Sequence, residues 1–83
     1  MTENLAKSGK ILPLSSVESG QPVIIRELAG GRAMRQRLLG LGLNRGSQAK
    51  VMKNDGSGPL ILAVGNGRVA LGRGMAFKIM VEA

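Results

Sequence analysis

The order of apolar and polar residues is typical of short strands over most of the chain. Val23-Ile24-Ile25 is a β-branched block that suits a buried strand, whereas the last strand pattern places Phe77, Ile79 and Val81 on one face. The pattern predicts a mainly β chain of about five strands, folded as a small, partly open barrel. The predicted strands span residues 21–28, 47–53, 60–64, 69–71 and 77–81.

One segment has a helical pattern instead. Met34, Leu38 and Leu41 recur at i, i+4 and i+7, which predicts a short helix over about 32–41 with these residues on its buried face. Gly40 and Gly42 lie near its end, where a residue without a side chain can take the left-handed conformation that stops a helix. The remaining predicted core residues are Val23, Ile25, Val51, Leu62, Leu71 and Phe77.

Turn-forming residues separate the predicted strands. Residues 54–59 form a glycine-rich loop, and residues 72–76 form a break with a short 3₁₀ turn. Asn66-Gly67 is the strongest hairpin signal, because a type I′ turn needs positive φ at both central positions. That turn would place Val64 opposite Val69, and Leu62 opposite Leu71.

The length of 83 residues fits one domain. We expect a flexible polar tail over residues 1–10 and a folded domain over 11–83, with Pro13 restricting the first ordered piece to an edge or irregular strand. The tail lacks the apolar run of a signal peptide, and no segment approaches the ~20 apolar residues of a membrane span. We therefore expect a soluble, cytoplasmic protein without membrane insertion.

Composition excludes several kinds of chemistry. The chain has no cysteine and no histidine, and its five acidic residues are scattered, so we predict no enzyme, no metal site and no cofactor. The glycine-rich residues 65–74 lack the strand–loop–helix context and the Gly-Lys-Ser/Thr ending of a phosphate loop. Hairpin turns explain these glycines better.

The net charge of +7 makes nucleic acid a partner to consider. The aromatic content argues against binding of single-stranded nucleic acid, because Phe77 alone provides no platform on which successive bases stack. The basic residues are also spread along the chain. A solvated basic surface is the simpler interpretation, and a nucleic-acid-binding domain stays as an alternative.

Residues 35–46, Arg-Gln-Arg-Leu-Leu-Gly-Leu-Gly-Leu-Asn-Arg-Gly, resemble the R-x-R/K-L-L-x-L-G-L-x-x-G signature of the FeoA family, small cytosolic accessory proteins of bacterial ferrous-iron uptake. Leu38, Leu41, Gly42 and Gly46 match its fixed positions. Weaker similarity extends over about 70 residues, nearly everything after the tail. The resemblance implies an SH3-like β-barrel carrying a helical insertion. Similar domains occur at the C-terminus of iron-dependent repressors.

The resemblance also implies a partner, the membrane ferrous-iron permease FeoB, which has a cytosolic GTP-binding domain. We interpret Arg32, Arg35, Gln36 and Leu39, opposite the buried helix face, as the partner-binding residues; a solvated face remains the alternative. Arg37 flanks the apolar side, so its stem is predicted to cover the core. Two further readings stay open: simple docking, or an arginine finger that stimulates GTP hydrolysis. A proline-rich ligand is rejected for lack of aromatic residues. The oligomeric state is left open.

Overall fold

The computed structural model describes residues 9–83, which form one antiparallel sheet with two helices. The structure confirms the mainly β fold, which is an open SH3-like sheet rather than a closed barrel, and the inserted helix. Predicted tail residues 1–8 lie outside the described part. The elements in chain order are β1 Ile11–Pro13, a 3₁₀ turn Leu14–Ser16, β2 Pro22–Leu28, α1 Arg32–Gly40, β3 Gln48–Lys53, β4 Leu60–Val64, β5 Gly67–Leu71, α2 Arg73–Phe77 and β6 Ile79–Glu82.

Strand β2 organises the sheet because it pairs on both sides. Its first half, from Pro22 to Ile24, pairs with β3, and its second half, to Leu28, pairs with β6. A register shift between Ile25 and Glu27 marks a bulge, which bends a strand and increases its twist. The strand order is β1-β6-β2-β3-β4-β5, so β1 and β5 are the edges. Pro13 lies in an edge strand, as predicted, where its missing N–H costs no sheet hydrogen bond.

The core is aliphatic and is formed by residues of the sheet and of both helices. Alternation along the strand accounts for part of this core: in β3, Ala49 and Val51 are buried, whereas Gln48, Lys50 and Met52 are exposed. No buried charged or polar residue occurs among residues 9–83. The fully or nearly buried members are Leu14, Val17, Val23, Ile24, Ile25, Leu28, Leu38, Leu43, Ala49, Val51, Leu60, Leu62, Leu71, Ala76, Ile79 and Val81.

Helix α1 is attached to the core at its end. Gly42 has φ +91°, the Gly42 N–H donates to the Leu39 carbonyl at 3.0 Å, and the Leu43 N–H donates to the Leu38 carbonyl at 2.9 Å. These are the two hydrogen bonds of a Schellman motif, which reverses the chain after a helix and brings the flanking apolar residues together. Leu38 and Leu43 are both fully buried. The motif therefore both ends α1 and seats it.

Leu41 was predicted to be buried and this is wrong, because it is 42% exposed. The helical repeat does not continue to this residue: Leu41 has φ −90° and ψ 0° as the C-cap, and the chain turns at Gly42. Leu43 takes the place in the core that the repeat assigned to Leu41. Met34, on the same face as Leu38, is partly buried against the core.

The placement of Phe77 in a buried strand is also wrong. Residues 73–77 form α2, so the strand begins two residues later, at Ile79, and Phe77 is 63% exposed. Ala76 occupies the buried position of this helix instead. Residues 9–83 thus contain six strands rather than about five, and a short helix where a break with a 3₁₀ turn was predicted.

The β4–β5 hairpin exists, but its predicted register is wrong. Val64 is paired with Gly67 and Leu62 with Val69, so the two loop residues are Gly65 and Asn66. Gly65, with φ +58°, supplies the positive φ at the first loop position. Moving the turn by one residue shifts the pairing by two, so each side chain keeps its face and Leu62 and Leu71 remain buried.

Replacing Leu38 by Ala should test the seat of α1. Because Leu38 is fully buried, Leu38→Ala should lower the free energy of unfolding by about 2–5 kcal/mol. Leu41→Ala, three residues further on, is the matched control and should cost no more than about 0.5 kcal/mol. Urea denaturation of both variants measures the difference. Equal losses for the two leucines would contradict the described packing.

Two glycines of the same segment should respond oppositely to alanine. Gly42→Ala forces a Cβ into the left-handed region and should cost about 1–2 kcal/mol; its nearest neighbour, Val64 Cγ1 at 3.7 Å, adds only ordinary contact. Gly40→Ala lies in α1 with open space around the new Cβ and should stabilise the protein by up to about 1 kcal/mol. Thermal melting of the two variants checks the opposite signs, and a shift in the same direction would rule out this account of the helix end.

Candidate functional site on helix α1

The four predicted partner-binding residues lie together on the exposed face of α1. Arg32, Arg35, Gln36 and Leu39 are all exposed, and they follow one another at i, i+3, i+4 and i+7, which places them on one side of a helix. Leu38 points to the core from the other side. We call this set the α1 stripe.

The charge of the α1 stripe is not neutralised within the described part of the chain. Three carboxylates pair with cations elsewhere: Glu82 with Arg26 at 2.5 Å, Glu27 with Arg45 at 3.4 Å and Asp55 with Lys53 at 3.8 Å. Among residues 9–83, no hydrogen bond or ion pair engages the side chains of the three α1 arginines, Arg32, Arg35 and Arg37. Helix α1 therefore presents a cationic surface to solvent.

The beginning of α1 adds to this positive character. Gly31 is the N-cap and offers no side-chain hydrogen bond, and the first turn contains no acidic residue. A helix N-terminus carries a partial positive charge, and a cation there is unfavourable. Arg32 nevertheless occupies the first position of the helix. The local sequence is thus poorer for helix stability than an acidic first turn would be.

Leu39 is the apolar member of the α1 stripe. It is 46% exposed, although it neighbours the fully buried Leu38. Arginine beside an exposed aliphatic side chain is a composition that protein–protein interfaces favour. Arg37 is exposed as well, and the packing of its stem against the core stays a prediction.

A second feature near the loop of residues 54–59 was not anticipated from the sequence. The Asn54 amide donates to the Ser15 carbonyl at 3.0 Å and to the Val17 carbonyl at 2.6 Å, and its oxygen accepts from Arg73 Nη1 at 3.0 Å. Arg73 also donates to the Ser15 and Gly58 carbonyls, at 3.2 and 3.4 Å. In the sequence, the only sign of a role beyond turn formation is that Asn54 directly follows strand β3. This network ties the loop to the 3₁₀ turn and to α2.

Gly46, another position of the helix signature, lies in the turn that joins α1 to β3. The Gly46 N–H donates to the Ile25 carbonyl at 2.7 Å, and the Ser47 N–H closes a turn on the Asn44 carbonyl at 3.0 Å. Gly46 has φ +87°, as the third residue of a type II turn requires. The turn places β3 beside β2, which fixes where α1 leaves and rejoins the sheet.

The described residues bring no metal-binding group together. Within residues 9–83, no three His, Cys, Asp or Glu side chains lie close enough to hold a metal ion. No helix in that range is long and apolar enough to cross a bilayer, since α1 has nine residues and α2 has five.

An open antiparallel sheet with an inserted helix, seated by Leu38 and carrying a cationic outer face, places the molecule among the SH3-like domains with a helical insertion. The chain belongs to the FeoA family, since the model of the FeoA domain matches residues 12–83. The resemblance in the helix signature is thereby confirmed.

Individual relatives agree with this assignment. A protein of Methanocaldococcus jannaschii named "Putative Fe(2+) transport protein A" is 41% identical over 70 residues, 84% of each chain. The crystal structure of an iron uptake regulatory protein (FeoA) is 36% identical, with a TM-score of 0.83 over 88% of this chain and 97% of its own. A manganese-dependent transcriptional repressor, 19% identical, shares the fold alone, with a TM-score of 0.80 over 88% of this chain and 41% of its own.

The Asn54 network can be tested with an isosteric change. Asn54→Asp replaces an amide donor by an oxygen that faces two carbonyls, so the free energy of unfolding should fall by about 1–3 kcal/mol even though Arg73 lies close. Asn66→Asp in the exposed hairpin loop is the matched control and should change stability by no more than about 0.5 kcal/mol. Chemical denaturation provides the measurement, and two equal, small effects would show that the network does not hold the loop.

Proposed function

We propose that this protein is a non-enzymatic accessory module of ferrous-iron uptake that docks, through the α1 stripe, on the cytosolic part of the ferrous-iron permease FeoB. The FeoA family supports the role in iron transport, and its relative from Methanocaldococcus jannaschii carries an Fe(2+) transport name. The proposal places the protein in the cytoplasm, on the same side of the membrane as that part of the permease.

The observation that carries the proposal is the unneutralised α1 stripe. Arg32 and Arg35 form no side-chain hydrogen bond or ion pair among residues 9–83, Leu39 is 46% exposed, and the three share one face. Exposed arginines around an aliphatic residue can exchange water for carboxylates and apolar surface of a partner. An acidic surface with a small apolar depression is therefore the partner chemistry that the stripe fits.

A docking role needs no catalytic group. The carboxylates there are engaged in surface ion pairs or lie apart, and histidine and cysteine do not occur in the chain. An arginine of the stripe would act on GTP hydrolysis only by entering the partner's site, as an arginine finger does. That activity would belong to the complex.

Binding should be measured with full-length permease in nanodiscs, with GTP analogue, with GDP and without nucleotide. We expect retention of this protein in at least one of these states. Parallel GTP hydrolysis measurements separate docking from an arginine finger, because only the finger raises the rate and loses its effect in a single Arg→Ala variant. Absence of binding in every nucleotide state would refute the proposal.

Single substitutions on the α1 stripe should weaken binding without unfolding the protein. Leu39→Ala and Arg35→Ala alter exposed side chains, so each should change the free energy of unfolding by no more than about 0.5 kcal/mol. Each should nevertheless raise the Kd for the permease by ~10-fold or more, as expected for interface anchors. Thermal melting and the binding assay are performed on the same preparations.

Matched controls come from strand β3, where Lys50 pairs with Pro22, at the opposite end of β2 from Leu28. Met52→Ala removes an apolar side chain that is 37% exposed, and Lys50→Ala removes an exposed cation, both in β3. Neither should change the Kd. Equal effects of Lys50→Ala and Arg35→Ala would indicate a response to net charge rather than a docking site, and unchanged binding of Leu39→Ala would remove Leu39 from the interface.

A further inference from the structure

Phe77 is the most exposed of the large apolar residues in the described part of the chain. Its relative exposure is 63%, against 51% for Ile11 and 46% for Leu39. It is also the single aromatic residue among the 83. Aromatic side chains are enriched at the centres of protein interfaces, because they bury a large area at a small cost in conformational entropy.

The fold does not require an aromatic side chain at this position. Helix α2 is held by Ala76, which is fully buried, and by Met75, which packs against the core. Strand β6 begins after it, with Ile79 and Val81 fully buried. The exposed ring therefore adds apolar surface to the outside of the molecule without filling the core.

A backbone hydrogen bond joins the end of α2 to the segment that leads into α1. The carbonyl of Lys78, the next residue, accepts a hydrogen bond from the Ala29 N–H at 2.8 Å, and Ala29 precedes Arg32 by three residues. Standard backbone dimensions then limit the distance between the Cα atoms of Phe77 and Arg32 to roughly 22 Å. A standard interface of about 800 Å² per partner is roughly 30 Å across. The two residues therefore lie within the span of one partner of ordinary size.

We propose that Phe77 is a second apolar anchor of the docking surface, so that the partner contacts α2 as well as α1. This inference rests on the proposed function and deepens it. The occupant is an acidic protein surface with an apolar pocket: its carboxylates meet the arginines of α1, which have no counter-ion among residues 9–83, and its pocket takes the Phe77 ring. The interface then has two anchors, Leu39 and Phe77, on separate helices.

The test measures binding of the full-length protein to full-length permease in nanodiscs. Phe77→Ala should raise the Kd by ~10-fold or more, while the melting temperature stays within roughly 4 °C of the unchanged protein. Phe77→Met keeps the apolar bulk and should retain most of the affinity. Met52→Ala is the control. Met52 lies two residues after Lys50, which pairs with Pro22 at the opposite end of β2 from Ala29.

The outcomes separate this inference from the proposed function. If Leu39→Ala and Arg35→Ala weaken binding but Phe77→Ala does not, the docking surface is confined to α1 and the inference is wrong. If the unchanged protein does not bind, the proposed function itself fails. A large drop in melting temperature for both Phe77 variants would show a packing role and overturn the inference. The inference would also be overturned if the protein bound a single-stranded oligonucleotide through Phe77 at about 0.15 M salt but did not bind the permease.

Discussion

The turn at Gly42 is the constraint on which the use of α1 depends. A nine-residue helix is too short to be stable in isolation, so its stability must come from contact with the sheet. The Schellman motif provides that contact by aligning Leu38 and Leu43 over the core. The side chains on the opposite side of the helix remain exposed. Core packing therefore does not determine that arginines and Leu39 occupy this exposed side.

The sequence predicts the parts of this fold that arise from local periodicity. Alternation at Ala49 and Val51 identifies β3 correctly, because a strand with one buried face repeats with period two, whereas the block before α1 identifies β2 by its β-branched composition. The helical repeat identifies α1 and separates Leu38 from Leu39. In these segments each residue's face follows from its neighbours alone, so no knowledge of the rest of the molecule is needed.

The errors arise where the chain changes direction. Leu41 fits the helical repeat, but the reversal at Gly42 takes it out of the core, and periodicity cannot indicate where a repeat stops. Phe77 alternates correctly with Ile79 and Val81, but the short α2 breaks the alternation before the strand begins. The Asn54 network joins three segments that are distant in the sequence, so its partners follow from tertiary structure and from no local pattern.

The distribution of ion pairs along the sheet has a kinetic consequence. Three of the carboxylates among residues 9–83 neutralise cations of the sheet and its loops, whereas three arginines that follow closely on helix α1 have no ion pair in that range. Such a charge distribution gives a molecule an oriented electrostatic field, which pre-aligns it with an acidic partner before contact. Its effect falls mainly on the rate of association, whereas the apolar anchors determine how long a complex lasts. The rate of association and the lifetime of a complex would thus be controlled by different side chains of the same small surface.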